Sequence, residues 1–127
     1  MPLDHLSVPV PQDQFENIIT FLTTSLQHLG FKEMFRPVPT LVGMGETTPY
    51  FWVNAVDTKE PAVRRHIAFS AENTKQVKDF YAAALKAGAT SNGEPGLRND
   101  YHPGYYGAFV IHPGSNINFE VVCHNGA

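Results

Sequence analysis

Cysteine is nearly missing from this chain. Cys123 stands alone among 127 residues, so no disulfide can form within it. That fits a reducing compartment, and a cytoplasmic protein is expected. Basic residues are also scarce. Nine Lys and Arg face twelve Asp and Glu, a formal net charge of -3. Nucleic-acid binding needs a basic face, so no nucleic-acid partner is expected. No apolar run approaches the roughly 20 residues of a spanning helix, so no membrane partner is expected either. The opening Met1-Pro2-Leu3-Asp4-His5 has no basic region followed by an apolar stretch, and a signal peptide is not expected. What is present is 43% hydrophobic and 17% charged. A chain of this length and composition is expected to form one domain over residues 1–127 and to bury a core without staples.

Along the chain, apolar and β-branched residues from Leu3 to Val10 predict a strand. From Gln12 to Leu29, the residues Phe15, Ile18, Ile19, Leu22, Leu26 and Leu29 share one helical face. Asp13 is the expected cap and Gly30 the expected stop. Strands are expected over Phe31–Arg36, Thr40–Met44 and Tyr50–Val56, with Asp57–Val63 as a linker. The pattern then restarts. Arg64–Ser70 predicts a strand and Asn73–Ala87 a helix, capped by Asn73 or Thr74 and ended by Gly88. Ser91–Asp100 is polar and rich in Gly and Pro, and is expected to be a long loop. Strands at Tyr105–His112 and Asn116–Val122 close the chain.

This is an internal repeat, and a repeat constrains the fold. Asp4-His5-Leu6-Ser7-Val8 matches Arg65-His66-Ile67-Ala68-Phe69. Leu29-Gly30-Phe31 matches Ala87-Gly88-Ala89, and Phe51-Trp52-Val53 matches Phe119-Glu120-Val121. If the halves are related by an approximate two-fold axis, His5 and His66 occupy equivalent places. Glu120 is a carboxylate inside an otherwise apolar strand, where an unpaired charge costs several kcal/mol. A metal ion is one compensation, and Arg64 or Arg65 is the structural alternative. A histidine on an apolar strand is commonly a hydrogen-bonded core residue. Two imidazoles and a carboxylate together form a facial set that leaves metal positions open.

The Asp-His near the start, the His-Ile-Ala-Phe at the middle and the Glu on the last strand resemble the vicinal oxygen chelate superfamily. That superfamily comprises the glyoxalases, bleomycin-resistance proteins and extradiol dioxygenases. Pro95-Gly96-Leu97-Arg98, then Tyr101-His102-Pro103-Gly104-Tyr105-Tyr106-Gly107-Ala108-Phe109-Val110, is similar to a group of its small single-domain members. The resemblance covers nearly the whole chain. It implies an α+β fold of two βαβββ modules, about 1–57 and 64–124, whose strands form an incomplete barrel. It also implies metal ligands at His5, His66 and Glu120, and one divalent ion (Fe, Mn, Zn, Ni or Co). Glyoxalase I-type members carry a fourth ligand where this chain has Trp52, which cannot ligate.

The implied activity is that of a metal-dependent enzyme. The ion acts as a Lewis acid on a small oxygen-rich substrate, in lyase, isomerase or dioxygenase chemistry. The alternative is a non-catalytic protein of the bleomycin-resistance type that sequesters a small molecule. Besides Glu120, Tyr101 and His102 are candidate catalytic residues, since they sit in a Gly/Pro-rich loop. Trp52, Arg98, Tyr105 and Tyr106 are candidate substrate-binding residues. A homodimer is expected. Cys123 and His124 are strand neighbours whose side chains diverge, so they are not a nucleophile pair. His124 is a reserve ligand. Gly43-Met44-Gly45 lacks the third glycine and following helix of a dinucleotide loop.

Overall fold

Val8 and Val10 turn inward from a strand that begins only at Leu6, β1 (Leu6–Pro11). A computed structural model describes residues 1–126, and the chain divides into two units between Ala62 and Val63. In the first unit, β1 leads to α1 (Phe15–Leu26), then β2 (Lys32–Val38), β3 (Leu41–Gly45) and β4 (Phe51–Val56). In the second, β5 (Arg65–Ser70) leads to α2 (Thr74–Lys86), then β6 (Thr90–Leu97), β7 (Tyr106–His112) and β8 (Ile117–Cys123). The sheet orders are β1-β4-β3-β2 and β5-β8-β7-β6. In each, the first and last strands of the module pair in parallel and the rest are antiparallel. This is the expected α+β arrangement of two βαβββ modules, each with an open sheet.

Each helix covers one face of its own sheet. Phe15, Ile18, Ile19, Leu22 and Leu26 of α1 are buried, as are Val42, Met44, Phe51 and Val53 of the sheet. In the second unit Val77, Phe80 and Ala84 of α2 are buried, as are Ala108, Val110, Phe119 and Val121. Burial of this apolar surface is what gives each small unit its stability.

Several local expectations change. The helix expected from Gln12 starts at Phe15, after a 3-10 turn over Gln12–Gln14. Its cap position holds Gln14, which makes no side-chain cap bond, so Asp13 is not the cap. Gly30 does end the segment, at φ 88. Asn73 caps α2 by accepting a hydrogen bond from the Gln76 amide at 2.9 Å. The largest change lies at Ser91–Asp100. Most of that stretch is the edge strand β6, with its register shifted on either side of Gly93. Pro95 is tolerated because an edge strand needs only one set of ladder bonds. Gly93 is required because a Cβ there would lie 2.9 Å from the Phe109 ring.

Candidate functional site

The face of the second sheet turned away from α2 is set by alternation on the strands. Phe119, Val121 and Cys123 are fully buried in the core on one side of β8. Asn118, Glu120 and Val122 therefore share the other side. The ladder pairs His66 with Asn118, Ala68 with Glu120, and Phe109 with Glu120. Directly paired residues share a face, so β5, β8 and β7 bring His66, Glu120 and Phe109 together.

Glu120 is only 2% exposed. Its Oε1 lies 3.0 Å from His66 Nε2. Its Oε2 accepts a hydrogen bond from the Tyr105 hydroxyl. His66 Nδ1 lies 3.1 Å from the Asn118 carbonyl oxygen. A carbonyl only accepts, so Nδ1 carries the hydrogen. Nε2 then faces a carboxylate oxygen at hydrogen-bond distance. Two lone pairs in that position repel, so the contact needs a proton or a cation between them. His66 is half exposed and stacks on Phe109, with ring centroids 5.9 Å apart.

The two arginines bond at the turn before β8. Arg64 donates to Asn116 Oδ1 at 2.8 Å and Arg65 to the Ser115 carbonyl at 3.0 Å. Burial lowers the Arg65 pKa. Asn118 adds a second anomaly. Its Oδ1 is buried without a hydrogen-bond partner, a state that costs about 1–3 kcal/mol.

Tyr105 sits just before β7. Burial, and then its bond to Glu120, raise its hydroxyl pKa well above the usual range, so it remains a donor. Around its ring lie Tyr101 at 4.8 Å, His102 at 5.4 Å and His124 at 5.4 Å between centroids. Tyr101 is 65% exposed. His102 Nδ1 faces its neighbouring Pro103 carbonyl at 2.8 Å, and its Nε2 meets His124 Nδ1 at 2.8 Å. His124 thus engages His102, and its ring lies beside Tyr105. Tyr101 and His102 border the ring of Tyr105, whose hydroxyl bonds Glu120.

The remaining candidates separate. Tyr106 pairs with Cys123, on the helix side of the sheet, with Lys78 of α2 over its ring at 5.9 Å. Its side chain is therefore on the opposite face from Glu120, contrary to a shared substrate surface. Arg98 lies over the Phe109 ring at 5.5 Å and donates to the Glu94 carbonyl at 2.6 Å. In the first unit, His5 lies before β1, not within it, because the parallel ladder begins at Leu6. Its Nδ1 lies 2.5 Å from Asp4 Oδ2. Trp52 pairs with Ser7 and with Gly43, and meets Phe35 edge-on at 6.3 Å. Among the described residues, no group of three or more His, Cys, Asp and Glu side chains is gathered as a metal cluster. No helix among them is long and apolar enough to cross a membrane.

Sequence reasoning missed the role of Tyr105 as partner of Glu120, and it missed Asn118. The Tyr105 partnership had a faint signal. Tyr105 opens one strand of a predicted hairpin and Glu120 lies on the other, with Glu120 paired to Phe109, four residues after Tyr105.

No protein-family model matches the chain, and no curated protein matches it. Solved structures do. A glyoxalase/bleomycin resistance protein from Albidiferax ferrireducens T118 is 22% identical, with 94% of this chain and 97% of that one covered, at TM-score 0.77. A glyoxalase/bleomycin resistance protein/dioxygenase family enzyme from Burkholderia phytofirmans PsJN is 18% identical, covering 98% and 99%, at TM-score 0.71. The fosfomycin resistance protein FosX from Listeria monocytogenes, complexed with Mn(II) and 1S,2S-dihydroxypropylphosphonic acid, is 15% identical. It covers 99% and 90%, at TM-score 0.68. These neighbours are vicinal oxygen chelate proteins, and the likeness at such identities is one of fold.

Proposed function

We propose that this chain is a divalent-metal-dependent enzyme that acts on a small oxygen-rich molecule, with His66 and Glu120 as metal ligands and His5 as the third donor. The observation that carries the reading is the His66–Glu120 contact. A buried carboxylate faces an imidazole nitrogen whose partner nitrogen is already committed to a carbonyl. A carbonyl on Nδ1 fixes the tautomer that presents Nε2 as a ligand. The spacing fits as well. Donors about 2.1 Å from an ion and at right angles to each other lie about 3 Å apart. His5 has the same device, with the Asp4 carboxylate on its Nδ1.

Three protein donors leave open positions, which suit adjacent oxygens of a substrate. The ion supplies Lewis-acid stabilisation of a developing oxyanion when bound. The protein's own groups do the rest. Tyr105 holds Glu120, and the orphaned Asn118 Oδ1 offers an acceptor to a ligand hydroxyl or to ordered water. The FosX neighbour carries Mn(II) and a diol-bearing phosphonate, which supports the same class of ligand here. Mn, Fe, Co, Ni and Zn all suit this donor set, and lyase, isomerase and dioxygenase chemistry all follow from it. A homodimer is part of the proposal.

Calorimetric titration with Mn(II), Fe(II) under anaerobic conditions, Co(II), Ni(II) and Zn(II) tests the reading. Binding of one equivalent is expected for the wild type, with loss in His66→Ala and Glu120→Gln. No binding of any of the five ions to the wild type sinks it.

A second reading is favoured by one feature of the first unit. Trp52 and the 56% exposed Phe35 form an aromatic corner beside the Ser7–Asn54 hydrogen bond. Such a surface suits retention of a small molecule without turnover. Ligand recovered intact, bound equally well with chelator present, would favour sequestration over catalysis.

A further inference from the structure

We infer that Tyr105 is a positioning residue for Glu120: its hydroxyl anchors Oε2, so that Oε1 is presented beside His66 Nε2. The inference rests on the metal-site reading above and assigns Tyr105 a role beyond substrate contact. Three observations carry it. Tyr105 is the hydrogen-bond donor seen on Oε2, while Oε1 faces His66. The other side of Oε2 is bounded by Gly107, where a Cβ would lie only 3.0 Å from that oxygen. That position also lies 3.4 Å from the Tyr105 ring. Tyr105 and Gly107 thus form a slot for one carboxylate oxygen. The Tyr105 ring is itself held by Tyr101, His102 and His124. The two oxygens are therefore not equivalent. One is committed to the protein and the other is left for the ion.

A carboxylate whose second oxygen is anchored loses less freedom on binding an ion. Partners of this kind change metal affinity by roughly 10–100-fold when removed. They leave the number of bound ions unchanged.

The test compares wild type, Tyr105→Phe, Tyr106→Phe and Glu120→Gln by calorimetric titration with Mn(II), and by the visible absorption of bound Co(II). Tyr105→Phe keeps the ring and its aromatic neighbours. It is expected to bind one Mn(II) about 10–100-fold more weakly, with shifted Co(II) bands. Tyr106→Phe lies on the other face and is expected to match wild type. Gly107→Ala presses on the same oxygen and is expected to shift the Co(II) bands, which gives a readout even if Tyr105→Phe does not fold.

Wild-type affinity and spectrum in Tyr105→Phe overturn the inference while leaving the metal site intact. So does an equal loss in Tyr106→Phe. If Tyr105→Phe does not fold, an unchanged spectrum in Gly107→Ala overturns it. Binding in wild type that is lost in Glu120→Gln separates these outcomes from failure of the metal reading. Absence of binding to the wild type overturns both.

Discussion

Trp52 and Glu120 occupy the same place in two copies of one module. With His5 matched to His66, Ser7 matches Ala68, and these pair with Trp52 and Glu120 respectively. The antiparallel neighbours at the same level are Gly43 and Phe109. One module sets an indole over a glycine. A Cβ at Gly43 would come within 2.8 Å of Trp52. The other module sets a carboxylate beside an aromatic ring, with a glycine, Gly107, displaced to make room for its oxygen. The backbone scaffold is common. A single position decides whether the face is an apolar wall or a charged donor. The cost differs too, since a buried carboxylate must be compensated and an indole need not be.

The strongest way to break this contrast is to neutralise Glu120. In Glu120→Gln the amide can accept from Tyr105 and donate to His66 Nε2, while His66 Nδ1 keeps its bond to Asn118. Metal affinity is expected to fall by more than about 100-fold, beyond the effect of losing an outer partner. The thermal midpoint without metal is expected to hold or rise, because a buried charge has been removed. A lower midpoint without metal would make Glu120 a structural residue.

Acid should also separate the two units. His112, the last residue of β7, is 3% exposed and accepts at Nδ1 from the Ser115 amide at 3.2 Å. Burial pushes its pKa down to about 4 from an ordinary 6.5. The unfolded chain therefore binds a proton near pH 6.5 that the folded chain refuses until about pH 4. Stability from this group is full above pH 6.5 and is lost as pH falls to about 4. The loss approaches about 3 kcal/mol. Denaturant melts across that range, with hydrogen exchange read in β7 and β8, are expected to show it. His112→Asn should flatten the profile.

Gly43→Ala tests the wall. The added methyl presses on both Trp52 and Pro49, and a loss of about 1–3 kcal/mol is expected in denaturant titration. The smallest effect belongs to the exposed network of the first unit. Arg36 bonds Glu16 at 2.8 Å and Glu33 at 3.0 Å, and this pairing lowers the Glu16 pKa. Arg36→Ala is expected to cost no more than about 1 kcal/mol, less in high salt.

The module pattern was legible because a repeat of strand, helix and strands leaves its mark twice. Phe15, Ile18, Ile19, Leu22 and Leu26 mark the face that α1 buries, and Asn73 marks the start of α2. The edge strand β6 was not legible. Gly93, Pro95 and Gly96 read as loop formers, yet pairing with β7 and packing of Phe109 on Gly93 override that local preference. His66 and Glu120 stood out as polar residues in apolar strands. Tyr105 and Tyr106 were expected on one surface, yet neighbours in an extended segment point to opposite faces, and Tyr105 is the one that bonds Glu120 while Tyr106 pairs with Cys123.

The sequence by itself determined two βαβββ modules and a carboxylate embedded where an apolar residue belongs. It did so through period-2 and helical patterns repeated in both halves. Only the tertiary structure decided what surrounds that carboxylate. Strand pairing, which sequence spacing does not encode, brought His66 to one oxygen of Glu120 and Tyr105 to the other, and left Trp52 on the matching strand with no such role.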